Sequence, residues 1–168
     1  FIDLGNGDYL VTTEDSYTKD DNNLRKSYYY DSSSNSIRWN TTYDVTFSEY
    51  DGNNFYFAFR KNEGDEDEVN GYNIDRRSSI IWKTDMNGNQ QFLEEFNVTV
   101  DDLKVGDNGI YYTDWYKDKI VKLDKSGNKI WERSDINETR SIGIGNNIIT
   151  LFRQNGISNS KSDIIVLD

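Results

Sequence analysis

The chain has no cysteine and no histidine, and these two gaps narrow its chemistry before any motif is considered. Without thiols there is neither a disulfide framework nor a thiolate nucleophile. Without imidazole, Ser-His and Cys-His nucleophile systems and His-ligated metal sites are excluded, which leaves carboxylates, Tyr, Lys and Arg for acid–base work. Positive charge is scarce too: 19 Lys and Arg stand against 30 Asp and Glu, a formal net charge of −11. That balance argues against nucleic-acid backbones and anionic membranes as partners. It suits cationic proteins or divalent metals, with plain solubility as the simplest explanation. No run approaches the ~20 apolar residues that a membrane-crossing helix needs, so no membrane insertion is expected. The sequence opens at Phe1 without Met or a charged leader, as a processed, trimmed or fragmentary chain would.

What the chain does have is aromatic side chains in short clusters: 12 Tyr, 8 Phe and 4 Trp within 168 residues. A disordered chain would lack such clusters, and this length supports one domain, residues 1–168, with a sizeable core. The clusters recur. The stretch from Gly109 to Arg133 reads as three strands, GIYYTDWY, DKIVKLD and KIWER, with an Asp-Lys-Ser-Gly-Asn turn before the last. Its relatives flank it, which gives four repeats at about 1–44, 45–98, 99–138 and 139–168. Each opens with two strands around an Asn/Gly turn, such as Gly5-Asn6-Gly7-Asp8 or Asp51-Gly52-Asn53-Asn54. Three continue into a hairpin around Asp31-Ser32-Ser33-Ser34-Asn35, Asp85-Met86-Asn87-Gly88-Asn89 or Asp124-Lys125-Ser126-Gly127-Asn128. Aligning Asp31, Asp85, Asp124 and Asp168 leaves unequal intervals, and the surplus sits between the second and third strands. That is the behaviour of a four-stranded repeat with one variable loop.

FYFAF, IYY, SIIW and IIVL are apolar at consecutive positions, whereas a strand with one wet face would alternate. Antiparallel strands buried on both faces imply sheets stacked face to face about an axis. The expected fold is therefore all-β: β-propeller-type repeats, four blades of antiparallel four-stranded sheets, the last blade one strand short. Trp39, Phe92 and Trp131 occupy matching places in the fourth strands and are expected to pin each outer strand to its neighbour. Burying such a ring removes ~150–250 Å² from water, roughly 4–6 kcal/mol before ordering costs. The missing last strand suggests further blades, or a partner chain on the open edge.

IVKLDKSGNKIW, through Leu123, Asp124, Gly127 and Trp131, resembles the quinoprotein-like (PQQ-like) propeller repeats, whose units carry Leu-Asp, Gly and Trp in an outer hairpin. The second repeat departs from it with Phe92, and the first has no glycine in its turn. The resemblance implies a propeller; members of the family include cofactor-dependent dehydrogenases and binding scaffolds, so it bears on fold more than on activity. The sialidase Asp-box is different, because Gly127 and Trp131 fall three and seven residues after Asp124 rather than two and five.

Antiparallel order puts the tight 1→2 and 3→4 turns at one end of every sheet and the long, unequal connections at the other. Binding residues favour variable loops on a rigid scaffold. The loop end should carry 15–23, 62–77, 115–119 and 154–162. There the acidic run Glu63 to Glu68, with Asp65 and Asp67, would suit calcium or a basic partner, or simply a solvated insertion. Trp115 and Tyr116, with Tyr72, would suit a sugar ring or packing beneath the loops. Asp85, Asn87 and Asn89 look superficially like a calcium loop, but Gly88 stands fourth rather than sixth, so a plain hairpin turn is the expectation. Asn40, Asn97 and Asn137 begin Asn-x-Thr glycosylation acceptor patterns. The expected function is a non-enzymatic binding or scaffold module of a secreted or surface protein, contacting protein or glycan. The alternatives are a propeller domain of a hydrolase or oxidoreductase whose catalytic residues lie elsewhere, and a structural subunit assembling through its open edge. No cofactor is implied beyond a weak calcium site.

Overall fold

The computed structural model describes residues 1–13, 26–41, 44–62, 67–69, 72–74, 77–96, 100–114, 119–134, 139–145, 148–155 and 159–166. The protein is all-β. Its chain falls into two compact units, Phe1–Glu95 and Phe96–Asp168.

In the first unit, β1 (Ile2–Asp3), β2 (Tyr9–Thr12), β3 (Ser27–Asp31) and β4 (Ser36–Asn40) form one antiparallel sheet in chain order. The second sheet contains β5 (Asp44–Tyr50), β6 (Asn54–Asn62), β9 (Arg77–Asp85) and β10 (Gln90–Phe96), again in chain order. Between β6 and β9 lies a separate hairpin of β7 (Asp67–Val69) and β8 (Tyr72–Ile74). The second unit holds a third sheet, β11 (Val100–Gly106), β12 (Gly109–Asp114), β13 (Lys119–Leu123) and β14 (Lys129–Arg133). Its fourth sheet has three strands, β15 (Thr139–Gly145), β16 (Ile148–Asn155) and β17 (Asn159–Val166). Among the described residues, no helix is long and apolar enough to cross a membrane.

The repetition extends to irregularities. Thr46, Asp101 and Arg140 are each the extra residue of a bulge at the same place in β5, β11 and β15. A second kind of bulge, at Arg38 and Ile130, falls one residue before Trp39 and Trp131. A bulge re-aims the strand that follows it, so coincident bulges mean coincident strand paths. The pairing register also corrects one alignment. Ile110 pairs with Leu123 and Ile149 with Ile165, which puts Val166, not Asp168, at the place of Asp124.

Each second strand has two faces, because successive side chains point to opposite sides. The front face of the first sheet carries Leu10, with its register partners Tyr29 and Trp39; it packs on the back of the second sheet, Phe55, Phe57 and Phe59. The front of the third sheet, with Tyr111 and Trp131, packs in the same way on Ile149 and Leu151, the back of the fourth. β6 from Phe55 to Phe59 and all of β12 are buried on both faces, as the apolar runs FYFAF and IYY lead one to expect.

Two expectations about side chains and loops need revision. Trp39 and Trp131 do pin their strands, and Trp39 also donates from Nε1 to the Met86 carbonyl at 3.3 Å. Phe92 does not: it is 51% exposed, its ring edge-on to Trp82, and the next residue, Leu93, is the buried one. Strand alternation makes that choice exclusive. In the stretches read as connections at 62–77 and 154–162, the described residues lie in strands. Asn62 still pairs with Arg77, and Asn155 with Asn159. Polar composition hid these pairings, since backbone hydrogen bonds form whatever the side chain.

Candidate functional site

The tight-turn end is built from carboxylates that accept backbone N–H groups. Asp85 Oδ1 accepts from the amides of Asn87 and Asn89 at 2.8 and 2.9 Å, and its Oδ2 accepts from Asn89 Nδ2 at 2.7 Å. Asp124 repeats this with Ser126, Asn128 and Asn128 Nδ2 at 2.8, 2.9 and 2.8 Å, although Lys125 and Ser126 stand where Met86 and Asn87 do. The asparagine side chains, first among the donors, hold both carboxyls below the usual carboxylate range. Gly88 and Gly127 supply the left-handed residue. In the first repeat Asn35 takes that conformation one position later, and Asp31 accepts from the amide and hydroxyl of Ser33 and from Arg38 Nε at 2.6 Å. The calcium candidates Asp85, Asn87 and Asn89 thus form a hairpin turn whose carboxylate oxygens are both engaged by turn donors.

The 1→2 turns use the same device across strands. Asp8 is buried, with Ser32 amide and hydroxyl on Oδ1 at 2.8 Å each and the Tyr29 hydroxyl on Oδ2 at 2.9 Å. The Ser32 amide and hydroxyl lead in lowering the Asp8 carboxyl, while burial, then Asp8, pushes the Tyr29 phenol up to about 12. In the second repeat the Tyr56 hydroxyl donates to Asp51 Oδ2 at 2.9 Å, and burial raises that phenol as well.

The opposite end is where binding was expected. Trp115, Tyr116, Asp65, Asn97 and Asn137 lie outside the described residues. Asp67 and Tyr72 fall on the two strands of the β7–β8 hairpin, where Asp67 pairs with Ile74 and Tyr72 with Val69. Asn40 ends β4 with its side chain exposed, and the adjacent Thr41 is buried, its hydroxyl accepting from the Ser27 amide at 2.9 Å.

Two polar clusters missing from the sequence reading occupy this end. In the first unit Thr12 Oγ1 lies 2.7 Å from Ser27 Oγ and 3.4 Å from Ser48 Oγ, linking the first two sheets by hydroxyls. In the second unit Asp102 is buried and bridges sheets: its Oδ2 accepts from the Ile142 amide at 2.8 Å and from Ser141 Oγ at 2.9 Å. Thr113, its cross-strand partner, and Asp114 are buried beside it, and Thr113 Oγ1 meets no hydrogen-bond partner among the described residues. The sequence did not single Asp102 out, since in VDDLKV it alternates with Val100 and Lys104. Among the described residues, no three or more Asp or Glu side chains converge as a metal site would require. In each unit, strand termini at this end of the sheets are fixed by buried hydrogen bonds.

A comparison with protein-family models and with curated proteins finds no match for this chain.

Proposed function

We propose that the chain is a non-enzymatic binding or scaffold module of β-propeller-type repeats, part of a secreted or surface protein, presenting its loop end to a protein or glycan. The observation that carries this reading is the division of labour between the two ends of the sheets. At one end Asp8, Asp31, Asp51, Asp85 and Asp124 are fixed as acceptors of turn donors. At the other, Asp102 and Thr41 lock strand termini from which connections of unequal length emerge. Carboxylates that serve as fixed acceptors in turns are poor general acids or bases, because moving a proton onto them breaks the turn. Front-to-back stacking within each unit and strands buried on both faces support the blade reading, and with it the quinoprotein-like resemblance. The exposed Asn40 is consistent with a glycosylated surface.

The test is a glycan array, and titration against basic proteins, comparing the parent chain with the Trp115→Ala/Tyr116→Ala variant. Binding by the parent, lost in the variant at unchanged melting temperature, is the expected result. A parent chain that binds nothing but hydrolyses chromogenic glycosides or esters would overturn the reading in favour of an enzyme.

A further inference from the structure

Asn-Gly pairs stand at Asn6, Asn70, Asn87, Asn108 and Asn155. Such a pair is prone to lose its side-chain amide, because glycine leaves the following backbone nitrogen unshielded and its dihedrals free. That nitrogen gives up its proton and attacks the asparagine Cγ. The bond to the side-chain nitrogen breaks, and ammonia leaves. Water then opens the cyclic imide at either carbonyl, to aspartate or to iso-aspartate, whose main chain runs on through the side-chain carbons. Folding slows this reaction wherever it pins the amide or the glycine. Asn70, Gly71 and Gly156 lie outside the described residues, and the other three pairs can be compared.

Asn6 is pinned at both atoms of its amide. Its Oδ1 accepts from the Asp8 backbone N–H and its Nδ2 donates to Asp8 Oδ2, each at 3.0 Å, while Asp8 is itself held by Ser32 and Tyr29. Asn108 lies in the turn between Gly106 and Gly109, which pair with each other. Gly109 is buried against the Leu123 carbonyl, so its nitrogen cannot swing onto a neighbouring side chain without parting β12 from β13. Asn87 differs on both counts. It is exposed, and its side-chain amide has no hydrogen-bond partner among the described residues. The Gly88 nitrogen is held by one bond, to the Asp85 carbonyl at 3.0 Å, inside the turn itself. Opening that bond frees the nucleophile and leaves the strands paired.

We propose that Asn87 is a site of spontaneous deamidation, the pair among these three that folding leaves reactive, and that its iso-aspartyl product loosens the contact between the first two sheets. The Met86 carbonyl accepts from Trp39 Nε1 at 3.3 Å, and the indole lies 2.9 Å from where a Cβ on Gly88 would be. Iso-aspartate lengthens the main chain by a methylene just before Gly88. The glycine then cannot keep both its bond to Asp85 and its place beneath the indole.

The third repeat supplies the inert control. Ser126 stands where Asn87 does, and its amide donates to Asp124 Oδ1 at 2.8 Å as the Asn87 amide does to Asp85. The parent chain, Asn87→Ser and Asn87→Asp are incubated at mildly alkaline pH, folded and in denaturant, and iso-aspartate is mapped by peptide mass spectrometry. Folding should slow Asn87 by about tenfold or less, the worth of one turn hydrogen bond, and Asn6 and Asn108 by about a hundredfold or more. The aged parent should melt about 1–6 °C lower than the fresh one. Asn87→Ser should hold its melting temperature over the same interval. Fresh Asn87→Asp should melt with the fresh parent, which assigns the loss to the altered main chain rather than to the added charge. Iso-aspartate forming at Asn6 or Asn108 with less slowing than at Asn87 would overturn the proposal, as would an Asn87→Ser protein that ages as fast as the parent.

Discussion

Gly109 offers the sharpest test of the strand geometry. It opens β12 at φ +149°, and a Cβ built there would lie 2.3 Å from the Leu123 carbonyl oxygen, on the strand that pairs with β12. Gly52, in a 1→2 turn at φ +93°, has open space around the same position. Alanine at either site bears the cost of positive φ, about 1–2 kcal/mol. Only at Gly109 must β12 and β13 also part, next to the Ile110–Leu123 pair. Local strain of that kind adds about 1–3 kcal/mol, so Gly109→Ala should cost about 2–5 kcal/mol in all. For a chain of this size each kcal/mol moves the melting temperature by about 2–4 °C. Calorimetry should therefore find Gly52→Ala lower by about 2–8 °C and Gly109→Ala by about 4–20 °C. The backbone term is common to both, so their difference isolates the collision. A Gly109→Ala protein melting no lower than Gly52→Ala would refute the register of β12 on β13.

Other outcomes follow from the same contacts. Asp102→Ala should destabilise by about 1–3 kcal/mol, by leaving the buried Ile142 amide without its acceptor, and hydrogen exchange should quicken at Ile142 first. Trp39→Phe keeps a ring on Phe55 and Phe57 but loses the bond to Met86, at about 0.5–1.5 kcal/mol in urea unfolding, whereas Trp39→Ala should lose about 3–5 kcal/mol. The Tyr29 phenol titrates higher folded than unfolded, so the stability it contributes is full below pH 10 and is lost as pH rises toward about 12; melts of Tyr29→Phe should lack that portion of the alkaline decline. Asp8, Asp85 and Asp124 run the other way, with carboxyls held low by their turns, so stability should fall as pH drops below about 4.

Much of the architecture could be read from turn chemistry. The Asp-x-[Ser/Asn]-[Ser/Gly]-Asn pattern marks a hairpin because the carboxylate can satisfy two amides locally, and that needs no knowledge of the rest of the chain. FYFAF and GIYY announced strands buried on both faces for a similar reason. Face assignment was harder. Phe92 and Trp131 occupy equivalent places in sequence, yet Phe92 is exposed and the next residue, Leu93, is buried, and nothing in QQFLEEF signals it. Strand pairing in polar stretches was invisible, since Asn155 on Asn159 and the β7–β8 hairpin rest on backbone bonds. At the loop end the eye went to Trp115 and the acidic run; Asp102 escaped because its partners, Ser141 and the Ile142 amide, are about forty residues away.

The contact between Trp39 and Gly88 has a consequence for how such chains evolve. A methyl group on Gly88 would come within 2.9 Å of the indole that the preceding repeat lays over it. The glycine is therefore selected by its neighbour as much as by its own turn, and mutations at the two positions should compensate each other: a smaller ring at 39 should make alanine at 88 more tolerable. Profiles that score each copy in isolation will treat that glycine as a turn requirement, when half of its meaning belongs to the junction between successive copies.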